Sequence, residues 1–193
     1  MLGVSLVAYF AAVLARTDGG WNVSETELDD VETLADLADL AREAAQDDDS
    51  VLVFIEQEDA WFAVVRVDGE EDPRIFVSDG AAAARSSYGS VLTDELIESE
   101  DFDDDLDAIV ADVGETDDDE EGTLALDDDG DDGSADGPLG PQAGPLGESD
   151  LLADFGLSAK ELLALAAEGA VPGDALSEIA DALGAGEVLE AVR

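Results

Sequence analysis

In a chain of 193 residues, 52 acidic side chains against 7 basic ones leave a formal net charge of -45. So few cations disfavour direct nucleic-acid binding, which needs patches of lysine and arginine on the phosphates. Cysteine and histidine are both absent, which removes disulfides, cysteine nucleophiles, histidine bases and the usual zinc sites; a metal would need oxygen ligands.

The charge is unevenly spread. Residues 1–97 hold 22 acidic and 5 basic side chains, residues 98–148 hold 21 and none, and residues 149–193 hold 9 and 2. The ends are apolar enough to fold, whereas the middle opposes its own collapse by like-charge repulsion. This predicts an α+β domain over 1–97, an acidic low-complexity linker over 98–148 that is largely disordered, and a small all-helical lobe over 149–193.

Met1–Ala15 is nearly all apolar. It is shorter than the ~20 residues needed to span a bilayer and has no basic segment before it. Leu6–Arg16 therefore reads as a buried strand that turns at Thr17-Asp18-Gly19-Gly20, with Trp21–Ser24 returning as a short second strand. Asp29 or Asp30 offers an N-cap for a helix to about Ala45, because Val31, Leu34, Leu37, Ala38, Ala41 and Ala45 recur at spacings of three and four. Val51–Ile55 is a continuous apolar run, as expected of a strand covered on both faces. Glu58-Asp59 turns the chain into Trp61–Val67, and Asp68–Asp72 is the next hairpin loop. Pro73 starts the third strand, Ile75–Val77, at a position where a missing N–H is tolerated. Ser78 or Asp79 then caps an alanine-rich helix, Gly80–Ser87, closed by Tyr88-Gly89, with Val91–Ile97 a further helical turn or two. The order predicts a small antiparallel or mixed sheet with helices on one face.

In the middle tract, Leu106, Ile109, Val110 and Val113 have helical spacing, and the Gly-, Pro- and Asp-rich remainder reads as an extended tether. Ser149 is placed to cap a short helix ending at Phe155-Gly156. Ser158-Ala159-Lys160-Glu161 matches a capping box, Gly169 a C-terminal glycine, and Pro172 a first helical residue before the stripe Leu176, Ile179, Ala180, Leu183, which Gly184 ends. Glu187–Val192 is a last short helix. These helices either pack as a bundle or dock onto the first domain.

The strings YFAAVLARTDGGW, FIEQEDAWFAVVRVD and PRIFVSDGAAAARSSYG, with the C-terminal stretch, resemble the actinobacterial tRNA adenosine deaminase-associated proteins. The resemblance covers both ends and skips the acidic middle. It implies a link to the deaminase that makes inosine in the anticodon, and it carries over no catalytic residue. It also marks Met1–Ala8 as an extension or a misplaced start, because such proteins often begin near Tyr9-Phe10.

The chain itself is not a zinc deaminase, since that chemistry needs His or Cys on the metal. Asp117–Asp128 falls on a calcium-loop spacing, but position five is Glu and position twelve is Asp rather than a bidentate Glu, and no specific metal site is assigned. Glu56, Glu58 and Asp59 read as junction and turn residues, Ser78, Ser86 and Ser87 as caps and helix ends, Lys160 as a surface residue, and Trp21 and Trp61 as core or half-buried. Arg66 and Arg74 flank the Asp68–Asp72 loop, where antiparallel pairing brings them together, and Arg85 follows on the next helix. Their simplest role is to neutralise nearby carboxylates; the other is a binding cluster, which makes Arg66, Arg74 and Arg85 the candidate interaction surface.

The expectation is a non-enzymatic, cytoplasmic accessory protein without cofactor, membrane segment or direct nucleic-acid contact. Its partner would be the tRNA adenosine deaminase or another basic protein, met through the acidic surface. The alternatives are a small-molecule binder or enzyme built on the α+β domain, and an interaction protein unrelated to tRNA editing.

Overall fold

Side chains alternate across a strand, so an uninterrupted apolar run is satisfied only where both faces of the sheet are covered. The computed structural model, which describes residues 9–44, 50–98, 143–167 and 170–192, meets that condition. Strands β1 (Tyr9–Thr17), β2 (Gly20–Glu25), β3 (Ser50–Gln57), β4 (Trp61–Asp68), β5 (Arg74–Val77) and the two-residue β6 (Leu146–Gly147) form one antiparallel sheet in the order β2-β1-β3-β4-β5-β6. Its helices are α1 (Leu34–Ala44), α2 (Gly80–Ala84), α3 (87–98), α4 (Ala159–Leu165), α5 (Pro172–Leu183) and α6 (Gly186–Glu190), with a 3-10 turn at Ala153–Phe155.

The sheet separates two apolar cores. On one face Val13, Val51, Val53, Ile55, Trp61, Val65, Val67, Ile75 and Val77 pack against Leu37 and Ala41 of α1, Ala83 of α2, and Leu92 and Leu96 of α3. On the other, Leu14, Leu52, Phe54, Phe62, Val64 and Phe76 pack against Leu151, Leu152, Leu162, Leu176, Ile179 and Leu189. The α+β fold with an antiparallel sheet is the one the sequence predicts, and α1 to α3 occupy one face. Of the two arrangements open to the C-terminal helices, docking is the one found: α4, α5 and α6 cover the opposite face.

Local chemistry explains the boundaries. The first helix begins after Thr33 rather than at Asp29 or Asp30. The Asp36 backbone N–H donates to Thr33 Oγ1 (3.2 Å) while the Thr33 N–H donates to Asp36 Oδ2 (2.9 Å), a reciprocal cap that fixes the start there. Hydrogen bonds from the Thr33 hydroxyl and the Glu32 backbone hold the Asp36 carboxyl below its ordinary value. Asp79, not Ser78, caps α2, accepting from the Ala82 N–H at 2.9 Å. The single helix expected over Gly80–Ser87 is split. Ser86 Oγ donates to the Ala83 carbonyl (2.8 Å) and accepts from the Gly89 N–H (3.0 Å), so it ends α2 and starts α3. Tyr88 and Gly89 therefore open a helix instead of closing one. A Cβ on Gly89 would overlap the Ala83 carbonyl, so this junction needs glycine.

At the C-terminal end Ser158 and Glu161 form the expected capping box, Pro172 opens α5, and Gly184 (φ 78°) ends it. Ser149 makes no cap to the 3-10 turn, whose N-terminal flank is Leu152. Leu146–Gly147, within the tract expected to be linker, is a strand on β5; Gly147 lies at φ 91° so close to Ile75 that a Cβ would meet its carbonyl oxygen. The expectations for Met1–Ala8, the Leu106–Val113 helix, the tether, the Asp117–Asp128 spacing and Gly169 lie outside the described residues.

The second core has a testable consequence. A chain ending at Pro145 loses every C-terminal partner of Leu52, Phe54, Phe62, Val64 and Phe76, and an exposed apolar face of that kind drives association. Gel filtration should show aggregates or oligomers that bind a hydrophobic dye; a dye-silent, folded monomer would contradict the shared core.

Candidate functional site

The antiparallel register of β4 and β5 places Arg66 directly opposite Arg74, as the sequence suggests. Two adjacent guanidinium groups on one face repel unless carboxylates intervene, and the segment that follows β6 supplies them. Arg66, 8% exposed, donates from Nε to Asp68 Oδ2 (2.7 Å), from Nη1 to the Leu151 carbonyl (2.6 Å) and Asp154 Oδ1 (2.5 Å), and from Nη2 to Asp154 Oδ2 (2.9 Å). Arg74 donates from Nε to Glu148 Oε2 (2.6 Å) and from Nη2 to Asp150 Oδ1 (3.1 Å). The Arg66 guanidinium carbon also stands 4.5 Å from the centre of the Phe155 ring, with that of exposed Arg16 at 5.1 Å. Trp21 meets the same ring edge-on at 5.4 Å and donates Nε1–H to the Leu183 carbonyl (2.8 Å).

This is a clasp. Burial disfavours the Arg66 charge, but its hydrogen bonds to Asp154 and Asp68 outweigh that and raise its pKa. The Arg66 hydrogen bond holds the Asp154 carboxyl below its ordinary 3.8 against the opposing effect of partial burial. The hydrogen-bonding groups of Arg66 are thus directed into the fold, while those of Arg74 pair with Glu148 and Asp150 at its surface. Arg85 is exposed at the end of α2, on the opposite helical layer, and the structure does not bring it to the other two. Sequence reasoning missed Asp154, Phe155, Glu148, Asp150 and Arg16. The carboxylates lie up to 88 residues from the arginines they bind and Phe155 lies farther still from Arg16, and the one signal available was the scarcity of arginine itself. It also missed Arg42, whose Nε and Nη2 donate to the Gly69 and Glu71 carbonyls at 3.0 and 3.2 Å and pin the β4–β5 loop to α1.

The remaining nominated residues have structural surroundings. Trp61 is fully buried and donates Nε1–H to Gln57 Oε1 at 2.6 Å. Glu56 is buried at 7% exposure, whereas Glu58 and Asp59 are exposed in the β3–β4 turn, Asp59 with φ 60°. Ser78 Oγ accepts from the Phe62 N–H (2.9 Å), and Lys160 is exposed in the first turn of α4. No group of three or more Asp or Glu among the described residues is placed to hold a metal. No described helix is long and apolar enough to cross a membrane.

Two concavities stand out. A cleft of about 210 Å³ lies between Phe62, Ser78, Gly144, Leu165 and Pro172. A groove of about 300 Å³ opens where the β1–β2 hairpin splays, walled by Tyr9 and Tyr88 and rimmed by Glu25, Glu27 and Asp29. The first is below and the second at the lower end of the ~300–1,000 Å³ usual for small-molecule sites, and neither is lined by arginine.

The clasp predicts an asymmetric mutational response. Arg66→Gln strips four hydrogen bonds and should cost about 2 kcal/mol; Asp154→Asn, which leaves Arg66 its Asp68 and Leu151 partners, should cost about 1 kcal/mol in urea unfolding. Because the folded Asp154 pKa is depressed, its contribution is complete above the ordinary Asp value of 3.8 and is lost as acid protonates the folded form. The Asp154→Asn variant should therefore show a shallower loss of stability below pH 4 than the unaltered chain. Equal acid slopes in the two proteins would contradict the pairing.

Comparison with known proteins gives no match among curated proteins and none among solved structures. A family model described as Rv3753c-like tRNA adenosine deaminase-associated protein matches residues 9–186, a span that includes the sheet, the clasp and helices α1 to α5 and stops at the first residue of α6. The chain belongs to the family of Rv3753c-like tRNA adenosine deaminase-associated proteins.

Proposed function

We propose that this protein is a non-catalytic, cytoplasmic partner of the tRNA adenosine deaminase, docking on it as a polyanion. The observation that carries the reading is the charge: 52 acidic against 7 basic residues in a chain whose family is named for association with that enzyme. An enzyme that grips tRNA presents lysine and arginine to phosphates. A body with a net charge of -45 is drawn to such a surface by the same long-range attraction and competes for it or shields it. A non-catalytic role is supported by the missing His and Cys, which zinc deamination requires, and by the commitment of Arg66 and Arg74 to carboxylates of the same chain.

Affinity capture of the deaminase from lysate of the source cells tests this. The complex should be retained at low ionic strength, weaken as salt rises toward 1 M, where the Debye length is about 3 Å, and be displaced by added tRNA. Absence of the complex at both low and moderate salt would overturn the proposal.

A further inference from the structure

Tyr9 and Tyr88 are the two tyrosines of the chain, and the fold brings them together from opposite ends of the first domain. Their ring centres are 5.0 Å apart in an edge-to-face arrangement. β2 pairs with β1 only from Ala12 onward, and the chain leaves the sheet after the Thr26 N–H donates to the Ala11 carbonyl (2.9 Å). This departure opens the groove and sets Glu25, Glu27 and Asp29 along its rim. None of these carboxylates takes part in an ion pair among the described residues. Burial raises the pKa of Tyr88, and the negative charge of Asp29 adds to it.

We propose that this groove is a docking site for an arginine side chain on a basic partner protein. Tyrosine faces carry negative quadrupole density that attracts a flat guanidinium, and carboxylates at the rim pair with its N–H groups. A divalent ion fits less well: it needs several oxygens converging on one point, and no described group of three acidic residues does so. The carboxylates are instead strung along a rim, which suits an extended cationic side chain. The inference rests on the reading of the chain as a partner of a basic protein, and it locates where that partner is gripped.

The full-length protein, titrated with a hexa-arginine peptide, tests it without the deaminase. Tyrosine ring NMR signals report on this groove alone, since Tyr9 and Tyr88 are the only tyrosines. Both should shift in step with binding. Tyr88→Phe, which keeps the ring, should bind as the unaltered chain does, and Tyr88→Ala should bind about three- to tenfold more weakly. Glu25→Gln with Glu27→Gln and Asp29→Asn should weaken binding further than neutralising Asp127, Asp128 and Asp129. That charge variant keeps the test open should Tyr88→Ala fail to fold. Peptide binding with unmoved tyrosine signals would overturn the groove while leaving the accessory role standing, whereas loss of deaminase capture would sink that role by itself. Shifts that require removal of residues 1–8, or that calcium alone reproduces, would also overturn the proposal.

Discussion

A single guanidinium, Arg66, lets an acidic C-terminal segment lie against an acidic domain. Without it, Asp68, Asp154 and their neighbours Glu148 and Asp150 would meet across one sheet end as like charges. With it, and with Arg74 beside it, the segment from Glu148 to Phe155 is drawn over the sheet. Leu151 and Leu152, carried on that segment, then enter the core fully buried. Electrostatics here sets register, and the apolar burial that follows supplies most of the free energy. Scarcity sharpens the effect: with six arginines in the chain, placing two of them on one rung of the sheet commits them to this junction.

The strands record the same arrangement in their composition. In β3 and β4 the odd-numbered positions Val51, Val53, Ile55, Ala63, Val65 and Val67 face the first helical layer, and the even-numbered Leu52, Phe54, Phe62 and Val64 face the second. The aromatic rings on the even face are matched by leucines and small alanines of the C-terminal helices. Arg66 belongs to that even row, which is why a charged residue sits in an otherwise apolar strand.

Much of this was legible in the sequence. Uninterrupted apolar runs announced strands covered twice, and Ser158-Glu161, Pro172 and Gly184 announced helix ends by local chemistry alone. The antiparallel meander followed from its short acidic turns. What escaped was non-local. The start of α1 depended on a Thr33–Asp36 reciprocal pair that competes with several equally acidic candidates upstream. The split between α2 and α3 depended on Ser86 serving two helices at once. β6 escaped because two residues within a glycine- and proline-rich tract carry no period. The carboxylates that matter, Asp154 and Glu148, look like any other acid in a chain with 52 of them; only the folded partner distinguishes them. The Tyr9–Tyr88 groove is likewise a product of topology, since its walls are 79 residues apart in number and meet only because the first turn of α3 reaches the first residue of β1.

A body that commits Arg66 and Arg74 to its own carboxylates and leaves most of its acidic side chains to solvent is suited to meeting a basic surface. That account depends on the C-terminal layer and the sheet being one cooperative unit. Native-state hydrogen exchange tests this most directly. Amides of β3, β4 and α5 should exchange with the same free energy and the same denaturant dependence. Exchange of α5 through a separate, low-energy opening while β3 and β4 stay protected would contradict it.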